Sequence, residues 1–105
     1  MQTVVPLTQD VERVVERVLA PEHWASAKAL LQMRCGSGLP LMGQATPEQL
    51  DRLRFAVLKL SQGSMSELSR AVELANIDWR DVLVAAGFAN SLSAHRVWFN
   101  EGAGA

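Results

Sequence analysis

Thr46-Pro47-Glu48-Gln49 is a complete set of helix-starting instructions. Thr46 offers an N-cap oxygen, Pro47 fits the first helical position where its missing N–H is no loss, and Gln49 can reach back to the cap. From there Leu50, Leu53, Val57 and Leu60 fall on one stripe, and the helix is expected to run to Gln62 and stop at Gly63. Phe55 and Leu58 lie roughly 100° or more from the centre of that stripe, so the helix is apolar on two sides. Either it occupies the middle of a bundle, or it buries its second side against another chain.

The same punctuation recurs along the chain. Thr8 caps a helix with Asp10 and Glu12 at the positive end of its dipole, and with Val11, Val14, Val15, Val18 and Leu19 on one face. Pro21 ends it and opens a second helix through Trp24, Ala27, Leu30, Leu31 and Cys35, with Gly36 as the expected left-handed cap. Ser64-Met65-Ser66-Glu67 reads as another capping box, ahead of Leu68, Ala71, Val72 and Ala75 inward and Glu67, Arg70 and Glu73 outward. Asn76-Ile77-Asp78 predicts a tight connection, with Asp78 capping a helix that turns Trp79, Val82, Leu83 and Ala86 inward and ends at Gly87. Asn90 or Ser91 is the expected start of a last helix carrying Leu92, His95, Val97, Trp98 and Phe99.

No alternating strand pattern competes with these signals. The expected fold is all-α, a compact bundle of five or six short helices in one domain over residues 1–105, with 101–105 as a frayed tail. Residues 36–43 hold three glycines and a proline and form the one real loop. Its Leu39, Leu41 and Met42 are expected to tuck against the core, with a pocket lining as the alternative.

Composition narrows the function classes. Of 105 residues, 49% are apolar and 20% charged, and ten basic against eleven acidic residues leave a net charge of −1. That balance argues against a polybasic nucleic-acid tail or an acidic solvating one. The longest apolar run, residues 82–89, is far short of the roughly 20 residues that cross a bilayer. A single cysteine can make no disulfide within the chain, and nothing before Asp10 resembles a secretory segment, so cytoplasmic residence is expected.

Residues 54–61 (Arg-Phe-Ala-Val-Leu-Lys-Leu-Ser) and 78–88 (Asp-Trp-Arg-Asp-Val-Leu-Val-Ala-Ala-Gly-Phe), with Cys35-Gly36-Ser37-Gly38-Leu39-Pro40 upstream, resemble a group of short bacterial proteins of unassigned function. The resemblance implies a small bacterial cytosolic protein and supplies no catalytic or binding residues.

Sites of chemistry are sparse. Cys35 with His23 or His95 is the candidate nucleophile, and a pocket near the 36–43 loop would hold it. A helix C-terminus, however, is the wrong end of the dipole for a thiolate. These three residues are too far apart in sequence to suggest a metal site, and no metal or other cofactor is expected. Gly36-Ser37-Gly38 follows a helix instead of a strand and has no lysine, so it does not read as a phosphate loop. Asp78 and Asp81 read as helix-start acids before they read as an acid–base pair. The 68–76 and 78–86 helices could be a helix-turn-helix, but the second offers two aspartates and little base to a phosphate backbone.

Phe55, Leu58, Trp98, Phe99 and Arg96 are the residues expected to form an interaction surface, since aromatic and arginine side chains concentrate at binding hot spots. The expected function is a non-catalytic module acting through protein contacts, as a homodimer or accessory subunit. A small enzyme or small-molecule binder at Cys35 and a nucleic-acid-binding protein are the alternatives.

Overall fold

Hydroxyl oxygens write three of the helix starts. In the computed structural model, which describes residues 6–36 and 46–102, Thr8 accepts from the Val11 amide ahead of α1 (Gln9–Val18). After a 3₁₀ turn at Pro21–His23 comes α2 (Trp24–Arg34). Thr46 then opens α3 (Pro47–Ser61) with both halves of the capping box made, Thr46 Oγ1 accepting from Gln49 N at 3.1 Å and Gln49 Oε1 from Thr46 N at 2.9 Å. Ser64 accepts from Glu67 N ahead of α4 (Met65–Ala86), but Glu67 instead pairs with Arg70, so only half of the second box forms. The last helix is α5 (Ala94–Asn100). The fold is an all-α bundle, with no strand among the described residues.

The connection expected at residues 76–78 proves to be a single residue. Asp78 alone leaves helical geometry (φ −153°, ψ 99°), and its Oδ1 accepts from the Arg80 amide at 3.0 Å. Asp78 thus caps 79–86 while 65–77 runs directly into it, a kinked rod without the three- or four-residue turn of a helix-turn-helix.

The C-terminus of α4 is closed by Gly87 at φ 81°, where a side chain would be strained, with Phe88 N donating to Leu83 O at 2.8 Å. That is a Schellman arrangement. Gly36, by contrast, is not left-handed. What it needs is space, since a Cβ there would sit 3.2 Å from Gln32 O and 3.3 Å from Arg54 Nη2.

Two termini depart from expectation by one to four residues. At the end of α3 it is Gln62, one residue before Gly63, that first takes the left-handed conformation (φ 50°). α5 starts at Ala94, later than Asn90 or Ser91, because Ser91 Oγ accepts from Ser93 N and holds the chain in a turn. Such local side-chain bonds compete with helix formation. Leu92, expected inside this helix, stands before it and is 81% exposed. Glu101 and Gly102 are not frayed: their amides close the helix on Val97 O and Phe99 O. Residues 37–43 of the expected loop, and 103–105, lie outside the described residues.

α3 is the centre of the bundle. Leu50, Leu53, Phe55, Ala56, Val57 and Leu58 are all buried, covering every side of the helix. It packs along α4 and also against α1 and α5. The choice left open by the two-sided pattern is thereby decided: Phe55 and Leu58 have no exposed surface, and this chain's own helices cover them. Phe55 stacks on Phe99 (centroids 5.5 Å, planes 14° apart) and meets Trp98 edge-on at 6.1 Å. Those two are half-buried and lie against the core, so the aromatic segment of α5 serves mainly to close the bundle.

Candidate functional site

Arg96 is where α1, α3 and α5 meet. Its Nε and Nη2 donate to the two carboxylate oxygens of Glu48 at 3.1 and 2.8 Å, a fork-to-fork pair. Nη1 donates to Asp10 at 2.8 Å and Nη2 also to Asp51 at 3.3 Å, while the guanidinium lies 5.5 Å over the Phe55 ring. Thr8, besides capping α1, donates its hydroxyl to Asp51 at 3.0 Å. Glu48 and Asp10 stand in the first turns of α3 and α1, where the dipole already favours negative charge. The arginine's hydrogen bonds hold the Glu48 carboxyl down to about 2, chiefly those from Arg96, with His95 adding to them. Asp51 moves the other way, raised because burial outweighs its partners.

His95 extends the cluster inward. Its Nε2 lies 2.7 Å from Glu48 Oε1, while buried Nδ1 has no partner among the described residues and the ring packs against Phe55 and Phe88. The neutral tautomer with a proton on Nε2 fits: it donates to Glu48 and leaves only a lone pair at Nδ1. Protonation would place an N–H there with no acceptor. Burial accordingly lowers the His95 pKa, against the pull of Glu48 and with help from nearby Arg96 and Arg52.

The cysteine and the histidines do not converge. Cys35 is buried at the end of α2, its thiol pushed up to about 12 by desolvation, and its carbonyl accepts from Arg54 Nε at 2.9 Å. Arg54, itself 1% exposed, also reaches Pro6 O at 3.2 Å and so ties the chain before α1 to the end of α2. His23 sits in the 3₁₀ turn, 3.9 Å from Glu22, and among the described residues no hydrogen bond or ion pair joins it to Cys35 or His95. No group of three or more metal-ligating side chains forms among the described residues. A thiol this protonated is a poor nucleophile. Alkylation of Cys35 by iodoacetamide at pH 7.5 should be slower than that of a free thiol by orders of magnitude and become fast on unfolding. Rapid labelling of the folded protein would place the thiol in an open pocket.

A second cluster gathers at the end of α4, which the sequence motifs did not single out. Arg52 Nη2 donates to Phe88 O and to Ser91 O, and Lys59 Nζ donates to Ala86 O at 2.7 Å while lying 5.0 Å over the Phe88 ring. Two cations from α3 thus satisfy carbonyls left open by the helix end. The signal was present in the sequence: Arg52 and Lys59 are seven apart, two turns of one helix, on the side that faces α4.

Beside Arg52 lies a cavity of about 150 Å³ lined by Gln49, Arg52, Trp79 and Leu83. A larger groove of about 340 Å³ runs between Val18, Leu58, Lys59, Gln62, Gly63 and Trp98, where the ends of α1 and α3 meet α5. No helix among the described residues is long and apolar enough to cross a membrane. No protein-family model, curated protein or solved structure matches this chain.

Proposed function

We propose that this chain is a cytoplasmic, non-catalytic helical module that works by protein contact, with a second copy of itself as the first partner to test. One observation carries the proposal: with Phe55 and Leu58 in the core, three of the five exposed large apolar side chains among the described residues are on α2 and α4. Met33 and Ile77 are each 76% exposed and Val84 is 64% exposed. Arg80, Asp81 and Val84 share the exposed face of residues 79–86, and Ile77 is exposed just before the kink at Asp78. Asn76 Nδ2 donates to Arg34 O at 2.8 Å, which brings the Met33 end of α2 beside Ile77. The reactive groups, meanwhile, are engaged in holding helices together: Arg96 with its three acids, Arg54 on open carbonyls, and His95 on Glu48.

Size-exclusion chromatography with light scattering tests it. At tens of micromolar, a concentration at which micromolar self-association is nearly complete, the expected mass is that of a dimer. The Ile77→Glu/Val84→Glu double variant should give a monomer with an unchanged helical circular dichroism spectrum, because both side chains are exposed. A monomeric mass for the unaltered chain would end the self-association proposal.

A further inference from the structure

Buried polar atoms are almost always hydrogen-bonded, and each exception asks for a reason. Among the described residues two buried nitrogen donors have no acceptor, Arg52 Nε and Trp79 Nε1. They belong to two of the described residues that line the 150 Å³ cavity, with Gln49 and Leu83 beside them. Gln49 uses its Oε1 for the Thr46 amide, which leaves its NH₂ as a third donor. Arg52 carries a full positive charge, yet its bonds go to neutral carbonyls, and no carboxylate lies within ion-pairing distance of it among the described residues. Leu83 and the Trp79 ring supply an apolar wall.

We propose that this cavity binds a small carboxylate beside the side chains of Arg52 and Trp79, whose closed-off Nε and Nε1 donors reach the anion by a small side-chain shift, with a short aliphatic tail against Leu83. Among the described residues the lining offers N–H donors, one uncompensated cation and no acidic side chain, a set that an acceptor-only anion completes and a cation or a donor-rich ligand does not. Size sets the limit. The volume is that of about five water molecules in the liquid, which suits an acid of three to five carbons and no nucleotide or sugar phosphate. The assignment is independent of the protein-contact proposal, since the outer face of α4 and this inner cavity use different side chains.

Titration of the ¹⁵N-labelled full chain with propionate, read at the tryptophan indole resonances, tests it. The Trp79 indole should shift and saturate below about 50 mM, where a site of millimolar affinity is filled. The indoles of Trp24, already bonded to Leu19 O at 2.9 Å, and of Trp98 should hold still. Propionamide, the same shape without the charge, should bind at least tenfold more weakly, as should inorganic phosphate. Trp79→Phe and Arg52→Lys should each weaken propionate by at least tenfold, read on the backbone amides of residues 49 and 83. The lysine keeps a cation near the Phe88 carbonyl, which guards the fold. A Trp79 indole that never moves, three indoles that drift together without saturation, or equal affinity for propionamide or phosphate would each overturn the assignment. So would tighter binding of a blocked glutamate peptide than of propionate, because the cavity would then take a partner protein's side chain.

Discussion

Phe55→Glu should unfold this protein and should not yield a soluble, folded monomer. The ring is buried where α3 meets α5, stacked on Phe99 and edge-on to Trp98, with the Arg96 guanidinium above it. Removing a buried phenyl ring costs about 3 to 5 kcal/mol through lost transfer energy and an incompletely collapsed cavity. Leaving a carboxylate in that space adds several kcal/mol more, or forces it to bind a proton. A domain of this size holds together by about 5 to 15 kcal/mol in total, so the sum reaches the whole margin. Phe55→Ala gives the graded version, with a melting midpoint lower by at least about 12 °C, at about 4 °C or more per kcal/mol. Thermal circular dichroism reads both. A folded Phe55→Glu protein of monomeric mass would mean that α3 shows this side to solvent and that α5 does not cover it.

Arg96→Ala is the second large effect. The change strips Glu48 of its bidentate partner and leaves Asp10 and Asp51 without their shared cation. Asp51 is 3% exposed, so its carboxylate would be left nearly dry, with Thr8 as its remaining hydrogen-bond partner among the described residues. Exposed ion pairs contribute at most about 1 kcal/mol, and breaking a buried pair costs about 3 to 5. Arg96 is one-third exposed and Glu48 more than half, which sets the expectation between them, at about 2 to 3 kcal/mol. Adding Asp51→Asn should restore part of that loss, because the neutral amide no longer needs the guanidinium. Denaturant melts of both variants measure the coupling. A purely additive double variant would show that Asp51 does not depend on Arg96.

The same cluster gives the stability a pH dependence of defined sign. The folded pKa of Glu48 is depressed, so its contribution is present above the ordinary value of 4.5 and is lost as pH falls towards about 2. His95 is depressed as well: its contribution is whole above 6.5 and diminishes as pH drops and the unfolded chain takes up the proton first. Asp51, raised, works in the opposite sense and regains stability as pH falls through its folded value. Two groups against one make the expected melting midpoint fall on acidification, with a first decline below pH 6.5 from His95. His95→Gln, which keeps an N–H for Glu48 and does not titrate, should remove that first decline and leave the one below 4.5.

Much of the helical framework was legible in residue order because caps and stripes are local physics. The Thr46 capping box, the Thr8 and Ser64 caps, the stop at Gly87 and the cap at Asp78 each depend on residues within five positions of one another. The inward faces of α1 and α4 followed for the same reason, since periodicity on one helix needs no knowledge of a neighbour. The start of α5 was misplaced where two local preferences conflict, the helix and the Ser91 turn.

The sites were much less legible. Arg96, expected at an interaction surface, also ties three helices together, which no local pattern signals because its partners are 45 to 86 positions away. Asp51, beside the main apolar stripe of α3, had a visible signal: a charged side chain in such a place needs a partner brought by another element. Arg52 and Trp79 are 27 positions apart, and only the packing of α3 on α4 puts them on one cavity.

By itself the sequence determined the rods. Backbone donors at a helix start must find acceptors within a turn, and apolar side chains at helical spacing must find cover somewhere, so where helices begin and which faces are greasy are properties of the residue order. What it left open was what covers each face. The two apolar sides of α3 were consistent with a partner chain or with a central place in the bundle, and only the arrangement of α1, α4 and α5 around it decided between them. Side-chain burial and ion pairing depend on distances between residues remote in the chain, and no local rule contains those distances.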